Sequence, residues 1–271
     1  MNGTVELPDG GHLAFEDEGD ADGAAVVLLH PGLWDMRTWD PQMASFGAAG
    51  FRVIRYDIRG YGRSSRPTAE PYSHVADLRS LLDHLGVEEA ALVGCSMGGR
   101  IAIDATISTP GPTWALVPVA AGLGGFEPSA EEEDWWEDAM TDAYRAYDEG
   151  NMLAAQEARL RIWAPLGTDD EAGAAIRRIA FDNLHELTMD ESAEIALEPP
   201  AANRLHQIDV PTLVIKAEHD PPFSRRTSEV IAAGIPAARE VQIDGADHVV
   251  NLRKPEAFDD IVLPFLLEAR P

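Results

Sequence analysis

Six short, largely apolar runs, at residues 26–29, 53–56, 90–93, 114–119, 213–216 and 240–243, alternate along the chain with segments of helical periodicity. Continuous rather than alternating hydrophobicity is what a strand requires when both of its faces are covered, as in a parallel sheet layered with helices. The pattern predicts an α/β fold built on a mostly parallel, helix-covered central sheet. Ahead of it, residues 4–7 and 12–18 alternate about Pro8-Asp9-Gly10-Gly11 and read as a hairpin. Residues 73–85 read as a helix, with Ser73 as cap, Gly86 as stop and Val75, Leu78, Leu81, Leu82 and Leu85 along one face.

The rhythm stops between Gly122 and about Arg204, where the chain is helical and acidic, with residues 131–134 opening the stretch. This predicts a core of residues 1–121 and 205–271 and an inserted helical lid at 122–204. Trp136, Met140, Tyr144 and Tyr147 recur in the lid at helical spacing, the pattern of a face packed onto the main body.

At 271 residues the chain can bury a large core without a folding partner. Its 47 acidic against 21 basic residues give a net charge of -26. Such a field repels nucleic acid and anionic membranes alike, so neither is an expected partner. A small-molecule substrate is the expected partner, and the oligomeric state stays open. No run is apolar and long enough to span a bilayer, the opening residues carry neither a basic head nor an apolar stretch, and the single cysteine cannot form an internal disulfide. Together these predict a cytoplasmic protein. His12, His74, His84, His185, His206 and His219 show no metal-ligand spacing, and no phosphate loop or dinucleotide fingerprint occurs. Neither a metal nor another cofactor is expected.

Chemistry concentrates at Gly94-Cys95-Ser96-Met97-Gly98-Gly99, between the apolar run 90–93 and the amphipathic segment 100–107. Glycines two residues either side of Ser96 remove the Cβ atoms that would collide where a strand turns sharply into a helix. Ser96 then presents its Oγ above the sheet, and the Met97 N–H points towards the same space at a helix N-terminus. The glycine pattern is centred on Ser96, so Cys95 points away and reads as a small buried filler. A serine hydroxyl needs a base within hydrogen-bond reach, and that base needs an anion to fix its tautomer. Asp220 follows the strand-like run at 212–216 and His248 follows the next one, each where the carboxyl end of a strand presents residues to the crevice.

These residues are joined by His30-Pro31-Gly32 after the first buried run and by Tyr56-Asp57-Ile58-Arg59-Gly60-Tyr61-Gly62-Arg63-Ser64 after the next. Together they resemble the α/β-hydrolase superfamily over nearly the whole chain apart from the lid. The resemblance implies that Gly32, two residues after the loop histidine, offers a second oxyanion N–H beside that of Met97. Pro31 stands where that family usually has glycine. Proline has no N–H, but the expected donor is the residue after it, with Leu33 as the fallback. Ala217, where the family often has glycine, leaves Glu218 as an alternative acid to Asp220. His30 reads as structuring its loop, and Asp57 and Arg59 as tying down a loop beneath the site.

The resemblance implies a serine hydrolase of small carboxylic esters or lactones, similar to 3-oxoadipate enol-lactonase and related esterases, that requires no cofactor. Ser96 sets aside epoxide hydrolases and haloalkane dehalogenases, which carry aspartate at the elbow. A carbon–carbon bond hydrolase, a lyase or a perhydrolase uses the same catalytic parts, and a ligand-binding receptor on the same scaffold is the remoter alternative. Leu33, Trp34, Trp135, Trp136 and Trp163, with Leu166, are the candidates for an apolar substrate wall. The acidity of the lid disfavours anionic substrates.

Overall fold

The computed structural model describes residues 1–271. Its strands are β1 (Asn2–Glu6), β2 (His12–Gly19), β3 (Ala25–Leu29), β4 (Arg52–Tyr56), β5 (Ala90–Cys95), β6 (Thr113–Val119), β7 (Thr212–Ala217) and β8 (Ala238–Ile243). They form one sheet in the order β1-β2-β4-β3-β5-β6-β7-β8. The pairs β1 with β2 and β2 with β4 are antiparallel, and every other pairing is parallel. The helices are α1 (Asp40–Ala48), α2 (His74–Leu85), α3 (Met97–Ser108), α4 (Ala130–Asp148), α5 (Met152–Trp163), α6 (Glu171–Asp182), α7 (Pro222–Gly234), α8 (Val250–Arg253) and α9 (Pro255–Ala269).

The pleat explains the unbroken apolar runs. Val27 and Leu29 of β3 pack in a layer with Leu78 and Leu81 of α2, Ile101 and Ile107 of α3 and Ile231 of α7. Val26 and Leu28 pack in the other layer, with Phe46 of α1 and Phe258, Val262 and Phe265 of α9. Successive side chains of a strand alternate across the sheet, so a strand covered on both faces is apolar at every position. Each such Leu or Phe contributes roughly 1.5–3 kcal/mol by leaving water.

Local signals set the helix ends. Ser73 accepts from the Ala76 N–H at the start of α2, and Gly86 closes that helix at φ 65°, a left-handed conformation that costs glycine little. Ser129 and Glu132 form a reciprocal capping box at the start of α4.

Between β6 and β7 the chain leaves the sheet and passes through α4, α5 and α6 before returning. Here the aromatic pattern of α4 misleads. Tyr144 is 50% exposed and Tyr147 44%, so neither packs onto the main body. Met140 is buried, but in a separate small cluster with Ala143 and Ala158 that Trp136 flanks. The physical reason is that α4 buries its apolar stripe along α5 rather than on the sheet layers. No helix is long and apolar enough to cross a membrane.

Candidate active site

Strand β5 ends at Cys95 and α3 begins at Met97, so a single residue makes the turn between them. Ser96 does so at φ 51° and ψ -113°, a strained conformation that persists only where the surroundings hold it. Its N–H donates to the Val119 carbonyl and its own carbonyl accepts from the Gly122 N–H, both at 2.9 Å. A Cβ on Gly98 would stand 2.3 Å from the Leu29 carbonyl oxygen, and one on Gly94 would stand 2.3 Å from that of Gly98. The two glycines therefore let α3 press against the end of β3. Ser96 makes no capping bond to α3 and is partly exposed. Met97 supplies the first N–H of α3, a donor with no acceptor inside the helix.

Asp220 lies beyond β7 and His248 beyond β8, 6% and 3% exposed. The His248 Nδ1–H donates to Asp220 Oδ1 at 2.7 Å. That bond selects the neutral tautomer whose Nε2 is an acceptor. The other carboxylate oxygen of Asp220 accepts from the Ser224 hydroxyl. Ser96 Oγ and His248 Nε2 are not hydrogen-bonded to each other, and in hydrolytic sites without ligand this contact is often long and tightens with substrate. The Cys95 thiol donates to the His248 carbonyl at 3.3 Å, which ties the end of β5 to the histidine loop. Cys95 is fully buried, and burial pushes its thiol well above the usual range, so it is no nucleophile. Glu218 accepts from the Gly245 N–H at 2.7 Å and does not reach the imidazole.

Trp163 covers the imidazole. The two ring centroids are 4.3 Å apart, and the Trp163 carbonyl accepts from the His248 N–H at 3.3 Å.

The loop after β3 carries Gly32. His30 Nδ1–H donates to the Pro31 carbonyl and Nε2 accepts from the Ile58 N–H, each at 2.8 Å. Burial drives the His30 pKa down to about 4, so the ring is a neutral strut between the loops after β3 and β4. Gly32 is partly exposed, and Leu33 follows at φ 70°. Asp57 accepts from the Met36 N–H at 3.0 Å and the Arg63 N–H at 2.8 Å, while burial pushes its carboxyl up to about 6. Arg59 is clamped by Asp77 at 2.8 Å and Asp9 at 2.6 Å.

The expected substrate wall needs correction. Trp34 is fully buried, and its Nε1–H donates to the Ile176 carbonyl at 2.9 Å. An indole whose polar edge and faces are both satisfied by protein has nothing to offer a ligand. Leu33 packs in the same buried cluster. Trp135 is 37% exposed, packs against Phe223 and borders an indentation that His219, Asp220 and Pro222 also line. Trp136 and Trp163 line a cleft of about 610 Å³, together with Phe126 and Phe223. Sequence reasoning misses Phe126, Phe223 and Ser224. Only Ser224 had a usable signal, four residues after Asp220 at the start of a helix.

Residues 25–255 match the family model described as alpha/beta hydrolase fold. The chain is 29% identical to a non-heme chloroperoxidase of Streptomyces lividans, over 97% of this chain and 99% of the relative. It is 27% identical to 3-oxoadipate enol-lactonase 2 of Acinetobacter baylyi, over 92% of this chain and 91% of the relative. The solved structure of a thermophilic esterase from Thermogutta terrifontis superposes with a TM-score of 0.81 at 24% identity, covering 100% of both chains. The matched span reaches from β3 through α8, the stretch that carries the Ser96 elbow, Asp220 and His248. The chain belongs to the alpha/beta hydrolase fold family.

Proposed function

We propose that the protein hydrolyses small carboxylic esters or lactones through an acyl-serine intermediate. The observation that carries this reading is the 2.7 Å bond from His248 to Asp220, joined through Cys95 to the end of the strand just before the strained Ser96. Ser96 Oγ attacks the carbonyl carbon while His248 Nε2 takes its proton, and Asp220 stabilises the imidazolium that results. The N–H groups of Met97 and Gly32 hold the oxyanion. As the adduct collapses, Nε2 hands the proton to the departing alkoxide. Water then attacks the acyl-serine carbonyl, giving its proton to the same nitrogen, and the second adduct collapses with Nε2 returning that proton to Ser96 Oγ as the acid leaves. The inserted segment 122–204 serves as the lid, the substrate is a small molecule, and no cofactor takes part.

The lactonase-named relative supports the substrate class. The chloroperoxidase-named relative favours one variant, in which hydrogen peroxide replaces water at deacylation and a peracid is released. The test is the initial rate on p-nitrophenyl esters and simple lactones, wild type beside Ser96→Ala. Loss of about 10³-fold or more in the variant is expected. A folded wild type that turns over nothing on the panel, or a variant that keeps the wild-type rate, overturns the reading.

A further inference from the structure

One wall of the 610 Å³ cleft touches a residue of the proposed triad. Trp163 lies against His248. Phe223 stands three residues beyond Asp220, and Phe126 four beyond Gly122, whose N–H holds the Ser96 carbonyl. Trp136 of α4 closes the far side. Phe223 meets it edge to face with ring centroids 5.4 Å apart, and Trp163 lies 5.7 Å from it. Trp163 thus joins the cleft to the imidazole of His248.

The rim of the cleft is acidic, and its charges are not equivalent. Glu132 binds Arg226 at 2.7 Å and completes the α4 capping box, and the Arg226 guanidinium holds its carboxyl down at about 2. Arg226 is consumed as well, because its guanidinium also lies over the Phe126 ring at 4.4 Å. Glu133 and Glu137, one turn apart on α4, are exposed and form no ion pair. The cleft therefore combines electron-rich ring faces with two uncompensated carboxylates and no free cation. Ring quadrupoles and carboxylates both attract an organic cation, whereas an anion is repelled by the rim and by the net charge of -26.

We propose that this cleft selects substrates bearing an ammonium group, quaternary or protonated, seated against the packed rings of Trp136, Trp163 and Phe223 on the side that lines it, with Glu133 and Glu137 beside it. This specificity rests on the ester-hydrolase reading above. Acetylcholine and 3,3-dimethylbutyl acetate differ only in whether the terminal centre is a cationic nitrogen or a neutral carbon, so their kcat/KM ratio isolates the charge. The wild type is expected to favour the cation by about tenfold at low salt, mainly through KM. That ratio should fall several-fold in about 0.5 M salt and in the Glu133→Gln, Glu137→Gln double variant. A wild-type ratio of one or below overturns the proposal. If neither ester is hydrolysed, it is the ester-hydrolase reading that suffers, and direct binding still decides the cleft. Phenyltrimethylammonium should quench tryptophan fluorescence saturably, and less so in Trp136→Ala. Equal or tighter binding of its neutral isostere tert-butylbenzene, or no quenching by the cation, overturns the proposal.

Discussion

Asp104 lies in α3 behind the nucleophile, 4% exposed, with Oδ1 lacking any hydrogen-bond partner. Its nearest cation, Arg100, is 3.7 Å away and is engaged more closely by Glu194 at 2.8 Å. Burial consequently pushes the Asp104 carboxyl from 3.8 up to about 6. The folded state binds this proton more tightly than the unfolded chain does, so the group's contribution falls as pH rises from about 4 to about 6 and is level above. Asp104→Asn is expected to raise stability by roughly 1–3 kcal/mol at about pH 8 and to change little near pH 4, read from urea unfolding at both. A loss at the higher pH would show that the Arg100 attraction outweighs burial. Residues of this kind explain what is legible in a sequence. Ser96, Asp220 and His248 carry local marks, glycines at fixed offsets or the end of an apolar run. Trp34 carries none. Its indole bonds a carbonyl 142 residues away, and the same loop would read identically if the ring faced a ligand.

Among the elements, α6 is fastened at both ends. At its start Asp170 caps the helix through the Gly173 N–H and accepts from Arg253 of α8 at 3.0 Å. Arg253 in turn grips Asp247, next to His248, at 2.8 Å. At its end Asn183 is buried, donates to Asp35 at 2.7 Å and accepts from the Gly62 N–H at 2.8 Å. Asn183→Ala strands that N–H and removes one partner of a buried carboxylate, so a loss of roughly 2–3 kcal/mol in chemical denaturation is expected. Asp35 lies three residues past Gly32, the proposed oxyanion donor, so kcat should fall further than KM rises; unchanged kcat would separate this clamp from the proposed role of that loop. Element ends such as Ser73 and Gly86 are legible because capping is local chemistry. The partner of α4 is not, because an amphipathic stripe states that a helix packs and leaves open against what.

For the molecule as a whole, 47 acidic residues face 21 basic ones, many of the latter already in ion pairs such as Arg52–Asp17 at 2.7 Å and Arg59–Asp77 at 2.8 Å. The remaining carboxylates repel one another, and folding concentrates them. Raising salt from about 0.01 to about 0.5 M should therefore raise Tm by roughly 2–6 °C, read by scanning calorimetry. A flat or falling Tm would mean that the ion pairs weakened by salt outweigh net repulsion. The two layers on the sheet were legible from the runs themselves, whereas the seating of α4 to α6 depends on contacts between segments far apart in the chain. The double fastening of α6 has a consequence for how such a protein can diversify. Helix α4 meets the sheet-bearing body through Arg226 and a few rings, while the loops that carry Gly32 and His248 are moored to α6. On the proposed function, substitutions along α4 alter what is admitted while the residues that cut it stay in register, so selectivity and turnover are free to evolve as separate traits.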